Sequence, residues 1–380
     1  MDVDAVGCND MKILYLLADL RTVGPTRQTL NIIKYSGVKD SCVVLTMFDE
    51  PQETLIDLYL DAGIRVECLH LNRRMFVFKA VRKIADFCVR NNIEAIHSYG
   101  VKPDIVAHFV AKKIGVKHII TLRNFPMEDL TGRMNPLIGK VIARFHLFAL
   151  KRCKYLIACS KTIAEKMSAA YGVDITPIQN GVDTTLFKKA SHDSRNAFCE
   201  KFGIGRKSKV FICTNSFIAR KHNDEIARAF LDANIEDAEL FFLGDGPLFE
   251  SITHRYSRWS QIHFMGKRPD VAHFLQNSDV FVSASDSEGL PNAVLEALAC
   301  GCSVVLSDIP QHKEILDYLP NCGKLFALHD KEALSTIMRT VADDKMSSAD
   351  VSMSIADSPL TMVKMGELYG KYYRKMQILC

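Results

Sequence analysis

Along this chain, short runs of apolar and β-branched residues alternate with longer stretches whose apolar positions recur at helical spacing. That rhythm predicts parallel sheets flanked by helices. The runs at 13–18, 42–47, 66–69, 95–97, 118–122, 155–159 and 176–179 predict one series of strands, and those at 209–214, 239–243, 261–265, 279–283, 302–306 and 324–327 a second. Between the series, residues 188–208 are polar and charged, which reads as a connection plus one helix and puts a domain boundary near Leu186. At the end of the chain Met362, Met365, Leu368, Tyr369 and Tyr372 return to helical spacing, so a closing helix is expected over 361–376. The predicted fold class is α/β: two Rossmann-like domains, one of residues 1–186 with a closing helix at 361–380 and one of residues 187–360, with a cleft between them.

The length of 380 residues agrees with two domains that each bury a core. With 48% hydrophobic residues and a mean hydropathy of +0.03, the composition is that of a globular protein. No apolar run approaches the roughly 18 to 20 residues of a membrane span. The first ten residues carry Asp2, Asp4 and Asp10 and no basic segment, unlike a secretory signal, so a cytoplasmic chain is expected. The 12 cysteines are scattered; the closest pair, Cys300 and Cys302, lies in an apolar run and reads as small core residues of a reduced protein. A net charge of +4 does not indicate a nucleic-acid partner, so any electrostatic partner must be argued from local clusters.

In open α/β sheets ligands bind beyond the carboxyl ends of the strands, which directs attention to the loops there. After the 279–283 strand, the loop through Glu288, Gly289, Leu290, Pro291 and Asn292 opens a helix near Pro291. Unpaired backbone N–H groups and the helix dipole make such a start an anion site. Glu288 stands just before this turn and Glu296 about one turn inside, so two carboxylates bracket a phosphate pocket and could accept hydrogen bonds from sugar and ribose hydroxyls. Alone, this loop would be read equally well as a helix-dipole residue and a solvated one. The loop after 209–214 adds Arg220 and Lys221, two cations suited to a diphosphate, although such a pair is more often simply solvated. Gly244 in Gly-Asp-Gly-Pro and Gly24 in Val-Gly-Pro mark further strand-end turns that permit close backbone approach; both are equally readable as structural turns. Arg268 could meet a nucleobase through its backbone, though by charge alone it reads as surface.

Taken in this order, the loops resemble those of the family 4 glycosyltransferases of the GT-B fold, over nearly the whole chain. The sharpest likeness is Glu288 and Glu296 with seven residues between them, beginning Gly289-Leu290-Pro291-Asn292. Gly244 to Pro247 and the Asn-Gly-Val-Asp of Asn180 to Asp183 also match family patterns. The resemblance implies a retaining transferase of hexosyl or N-acetylhexosaminyl groups. A nucleotide diphosphate sugar, UDP-sugar favoured over GDP-sugar, serves as co-substrate; no cofactor and no metal is implied. It gives Glu288 the transferred sugar, Glu296 the ribose, and Arg220 with Lys221 the diphosphate. Two departures stand out: Asn215-Ser216 replaces a Gly-Arg found in many members, and Thr121-Leu-Arg-Asn replaces a strand-end His. Arg123 and Asn124, or His97, are then the acceptor-side candidates, with a structural role the simpler reading of His97.

From Gly132 to Lys154, Arg133, Lys140, Arg144, Lys151, Arg152 and Lys154 interleave with Leu137, Ile138, Val141, Ile142, Phe145 and Phe148, with no acidic residue. This reads as a basic amphipathic helix at an anionic membrane surface near a glycan or lipid-linked acceptor, or as an ordinary helix burying its apolar stripe. Two other functions fit the same architecture: a nucleotide-sugar epimerase, which needs acid and base groups around the sugar ring, and a non-catalytic nucleotide-sugar-binding subunit.

Overall fold

The computed structural model of the chain describes residues 11–72, 77–133, 135–343 and 348–378; the acidic start at Asp2, Asp4 and Asp10 lies outside them. Two compact units form, Met1–Gln179 with Met362–Cys380, and Asn180–Thr361, so the boundary falls at Gln179 rather than near Leu186.

The first unit holds β1 (Ile13–Leu17), β2 (Cys42–Thr46), β3 (Val66–Cys68), β4 (Ala95–Ser98), β5 (Lys117–Leu122), β6 (Tyr155–Ala158) and β7 (Thr176–Pro177). They pair in parallel in the order β3-β2-β1-β4-β5-β6-β7. β1 is buried along its whole length, as expected of a parallel strand covered on both faces, and this is why these strands read as continuous apolar runs. The helix Met362–Ile378 belongs to this unit and buries Met362, Met365, Tyr369, Tyr373 and Met376 in its core. Leu368, expected on that face, is exposed; the buried stripe is centred on Tyr369 instead. Gly366 and Gly370 bring this helix against Tyr35 and Ser36 at the end of the Gly24–Tyr35 helix.

The second unit holds β8 (Lys209–Thr214), β9 (Ala238–Leu243), β10 (Ile262–Phe264), β11 (Val280–Ser283), β12 (Ser303–Ser307) and β13 (Gly323–Phe326). All are parallel, in the order β10-β9-β8-β11-β12-β13. Strand order reverses between β8 and β11, so the loops leaving these two neighbours diverge and open a crevice at their carboxyl ends. An aromatic core of Phe211, Phe217, Phe230 and Phe242 anchors the β8 side of that crevice.

The basic stretch at 132–154 is not one helix. One helix ends at Arg133 and another runs Pro136–Leu150, started by Pro136 and by the Asn135 side chain, which accepts from Leu137 N at 3.0 Å. Lys151, Arg152 and Lys154 follow it, and the Arg133 side chain lies outside the described ones. The buried face of the helix is Gly139, Ala143, His146, Leu147 and Leu150. His146 Nε2 lies 2.8 Å from Asp104 Oδ2 in the interior, and Asp104 also accepts from Ser98 Oγ at 2.7 Å. The opposite face leaves Leu137, Ile138, Val141, Phe145 and Phe148 exposed, Leu137 by 74%.

Candidate active site at the switch point of the second sheet

The two loops at the strand reversal bring three of the expected residues together. A short 3-10 turn, Ala219–Lys221, directs Arg220 and Lys221 toward the loop after β11. Lys221 Nζ pairs with Glu288 Oε1, both side chains largely buried. Arg220 Nη1 donates to Ser287 O at 2.6 Å and lies 3.8 Å from Glu288 Oε2. The backbone closes the arrangement, with Asp286 N donating to Arg220 O at 2.9 Å. Burial pushes the Glu288 carboxyl upward, but the Lys221 charge and hydrogen bond, with Arg220 behind them, outweigh it and hold the group below its ordinary value. The result is an ionised carboxylate with cations on one side.

The helix Asn292–Ala299 begins directly after Glu288 to Pro291, with Pro291 at its N-cap rather than at its first helical position. No side chain caps it and no acid occupies its first turn, so the positive end of its dipole points into the loop without local neutralisation. Asn180 holds this turn: its Nδ2 donates to Leu290 O and to Asn292 Oδ1, both at 3.0 Å. This accounts for Asn180 in the sequence pattern as a positioning residue. Asp183 of the same pattern folds its own loop, accepting from Thr185 N at 2.9 Å and Leu186 N at 3.1 Å. Gly289 and Leu290 are buried in the turn, and Glu296 is half-buried on the first turns of the helix.

Gly244 closes the other flank. Its φ is +139°, and a Cβ there would meet Asn215 O at 1.8 Å. The close backbone approach expected at this glycine is therefore an approach to the protein's own β8 loop, which it holds in register with Phe217 N donating to Asp245 O at 2.9 Å. Arg268, in the neighbouring loop, donates to Asp270 in two 2.8 Å hydrogen bonds, with its guanidinium 5.5 Å from the Phe274 ring centre.

The remaining candidates lie in the first unit. Gly24 is the exposed first residue of the Gly24–Tyr35 helix. Arg123 and Asn124 are half-buried after β5, with the Arg123 guanidinium 5.5 Å from the Tyr99 ring centre. Of the two readings of His97, the structure shows the structural one: it is fully buried, with Nδ1 2.8 Å from Tyr373 Oη and Nε2 2.9 Å from Thr121 Oγ1. Burial, with Arg123 and His118 adding to it, drives its pKa well down, so the ring is neutral and both nitrogens are engaged inside the core. It is not available to an acceptor.

Sequence reasoning passed over His312, which lies in the first turn of the Pro310–Tyr318 helix after β12, fully buried near Glu288. Its Nδ1 lies 2.8 Å from Ser307 O, and burial lowers its pKa to about 4 against the attraction of Glu288. Its only sequence signal was a histidine just past a strand end, in Ser307-Asp-Ile-Pro-Gln-His312.

Comparison with known proteins supplies a family and a fold. Residues 40–186 match the model of Glycosyltransferase Family 4, and residues 208–344 that of Glycosyl transferases group 1. The Escherichia coli UDP-Gal:alpha-D-GlcNAc-diphosphoundecaprenol alpha-1,3-galactosyltransferase is 26% identical over 76% of this chain and 77% of its own. The Staphylococcus aureus capsular polysaccharide biosynthesis glycosyltransferase CapH is 23% identical over 94% of this chain and 98% of its own. Among solved structures, Anabaena HepE in complex with UDP superposes with a TM-score of 0.82 at 18% identity, over 96% of this chain and 100% of that one.

Proposed function

We propose that this chain, which belongs to the family 4 glycosyltransferases and has their GT-B fold, moves a hexosyl or N-acetylhexosaminyl group from a UDP-sugar to a hydroxyl of a lipid-linked saccharide, with retention. The observation that carries this reading is the pairing of Lys221 and Arg220 with Glu288 beside the start of the Asn292–Ala299 helix. Bond cleavage at the anomeric carbon delivers negative charge to the departing diphosphate, and two cations with a helix dipole are what that charge requires. Arg220 and Lys221 turn from Glu288 toward the phosphates, and the freed carboxylate accepts hydrogen bonds from the transferred sugar. Glu296 takes the ribose hydroxyls, Gly289 to Asn292 present backbone to the diphosphate, and Arg268 meets the base through its backbone. The cationic pair supplies the charge that a metal supplies in other transferases, so transfer is metal-independent. In the first unit, Arg123 with Asn124 serves the acceptor.

Support for the donor comes from UDP, and in a separate structure UDP-glucose, bound by HepE, and support for the acceptor from the diphosphoundecaprenol substrate in the name of the E. coli relative. A lipid-linked acceptor also suits the exposed face of the Pro136–Leu150 helix, where Leu137, Ile138, Val141 and Phe145 stand beside exposed Lys140 and Arg144, with Lys151 and Arg152 next in the chain. We assign this face to an anionic lipid surface, where the apolar side chains enter the headgroup boundary and the cations meet phosphate. No described helix is long and apolar enough to cross a membrane.

Incubation with a panel of UDP-sugars and GDP-sugars and a short-chain diphospholipid disaccharide tests the reaction. NMR of the product is expected to show one α-linked residue and no epimerised free donor; a β-linkage would reject retention. Phe145→Asp is expected to cut sedimentation with anionic vesicles at least about fivefold, and sedimentation indifferent to salt and to lipid charge would reject the membrane face.

A further inference from the structure

Outside the cationic pair, the same unit gathers two histidines and two carboxylates from three chain segments. His222 is the N-cap of the Asn223–Ala233 helix, Glu225 lies in its first turn, Asp286 is in the loop after β11, and His329 follows β13. The rings stand 4.7 Å apart. Both present Nε2 to one oxygen, Asp286 Oδ1, at 2.7 Å from His222 and 3.6 Å from His329. Both present Nδ1 to another, Glu225 Oε1, at 3.2 Å and 3.5 Å. Four ring nitrogens therefore face carboxylate oxygens, yet two neutral imidazoles carry only two protons between them. If Glu225 accepts both Nδ1 protons, two Nε2 lone pairs and a carboxylate converge on one point with no cation between them.

We propose that His222, Asp286 and His329 form a binding site for one divalent cation of the zinc class, with Glu225 behind the rings. Their ligand atoms lie within 4.8 Å of one another, which small side-chain rotations convert to Zn–N and Zn–O lengths of about 2.0 to 2.2 Å. Two imidazoles and one carboxylate favour zinc, cobalt or nickel over magnesium or calcium, which take oxygen. Glu225 fills the position of the outer carboxylate that fixes the tautomer of metal-bound histidines. The fourth position opens to solvent, since His329 is 53% exposed. A metal here ties the β8 loop to the β11 loop just outside Arg220, Lys221 and Glu288. It is a clip on the loops rather than a partner of the diphosphate, and it stands independently of the reaction proposed above.

The test uses the full, untagged chain stripped with a chelator and titrated with Zn²⁺ against a chromophoric indicator. One tight equivalent is expected, together with a rise in Tm that Mg²⁺ does not reproduce. His329→Asn keeps a residue tolerant of the left-handed backbone at φ 65°, and Asp286→Asn keeps the shape of the side chain; each is expected to weaken that equivalent at least about tenfold. His70→Asn controls for the other candidate cluster, Asp49, Cys68 and His70 in the first unit. Tight binding that survives both His329→Asn and Asp286→Asn, that is lost with His70→Asn, or that Mg²⁺ matches overturns the proposal, and so does the lack of any tight equivalent.

Discussion

At the carboxyl end of its central strands each unit buries a polar cluster, and the two clusters differ in charge. In the first unit His97, Thr121, Tyr15, Tyr369 and Tyr373 form a neutral network of hydrogen bonds near 3 Å, sealed by the Met362–Ile378 helix. In the second, Arg220, Lys221 and Glu288 form an ionic cluster at the same place in the topology, with the start of the Asn292–Ala299 helix beside it. Hydroxyls and a neutral imidazole satisfy one another, so the first cluster is held by bonds within the unit and carries no charge. Buried charges are held at a desolvation cost that a neutral cluster does not carry, and they can exchange partners when a ligand of the right charge arrives. The second cluster is therefore the one we propose as a site, and the first is part of the core.

The largest way to break this contrast is Glu288→Gln or Lys221→Ala, each expected to lower transfer by a factor on the order of 10³ while circular dichroism keeps its native shape. Next is pH. His312 titrates near pH 4 when folded and near 6.5 when unfolded, so the folded state resists protonation. Its contribution is complete above pH 6.5 and is lost as pH falls toward 4, about 3 kcal/mol in all. His312→Gln is expected to flatten that part of the stability-versus-pH curve, measured by urea unfolding. Gly244→Ala forces a Cβ onto a left-handed backbone and into Asn215 O, and is expected to cost about 2 kcal/mol or more in the same assay and to lower donor affinity with it. The smallest effect belongs to the neutral cluster: Tyr373→Phe is expected to cost about 1 kcal/mol, with donor and acceptor KM changed less than twofold. A change confined to acceptor KM would return His97 to the site.

Most of the architecture was legible because central parallel strands covered on both faces, such as Ile13–Leu17 and Val280–Ser283, are apolar throughout and appear as unbroken runs flanked by helical spacing. The helix start after the Glu288 loop was legible for a related reason: Gly289 and Pro291 stand between an apolar strand and an apolar helical stretch. What escaped was set by tertiary contact. His97 has two readings in the sequence, the structural one the simpler, because the residue that decides between them, Tyr373, lies 276 positions away. The split between the helix ending at Arg133 and the one beginning at Pro136 was written in Asn135-Pro136, an N-cap and a first-turn proline, but the continuous basic pattern overrode it. The exposure of Leu137 and Phe145 could not be read from periodicity, because that helix is apolar on two faces and the buried one is chosen by His146 reaching Asp104.

The central claim is that the ionic cluster of the second unit holds a nucleoside diphosphate. Calorimetric titration of the full chain with UDP, beside Lys221→Ala, tests it most directly. One site per chain is expected, weakened roughly 10- to 150-fold in the variant, the equivalent of losing a charge-assisted contact of about 1.5 to 3 kcal/mol. Equal affinity in the two proteins would contradict the account.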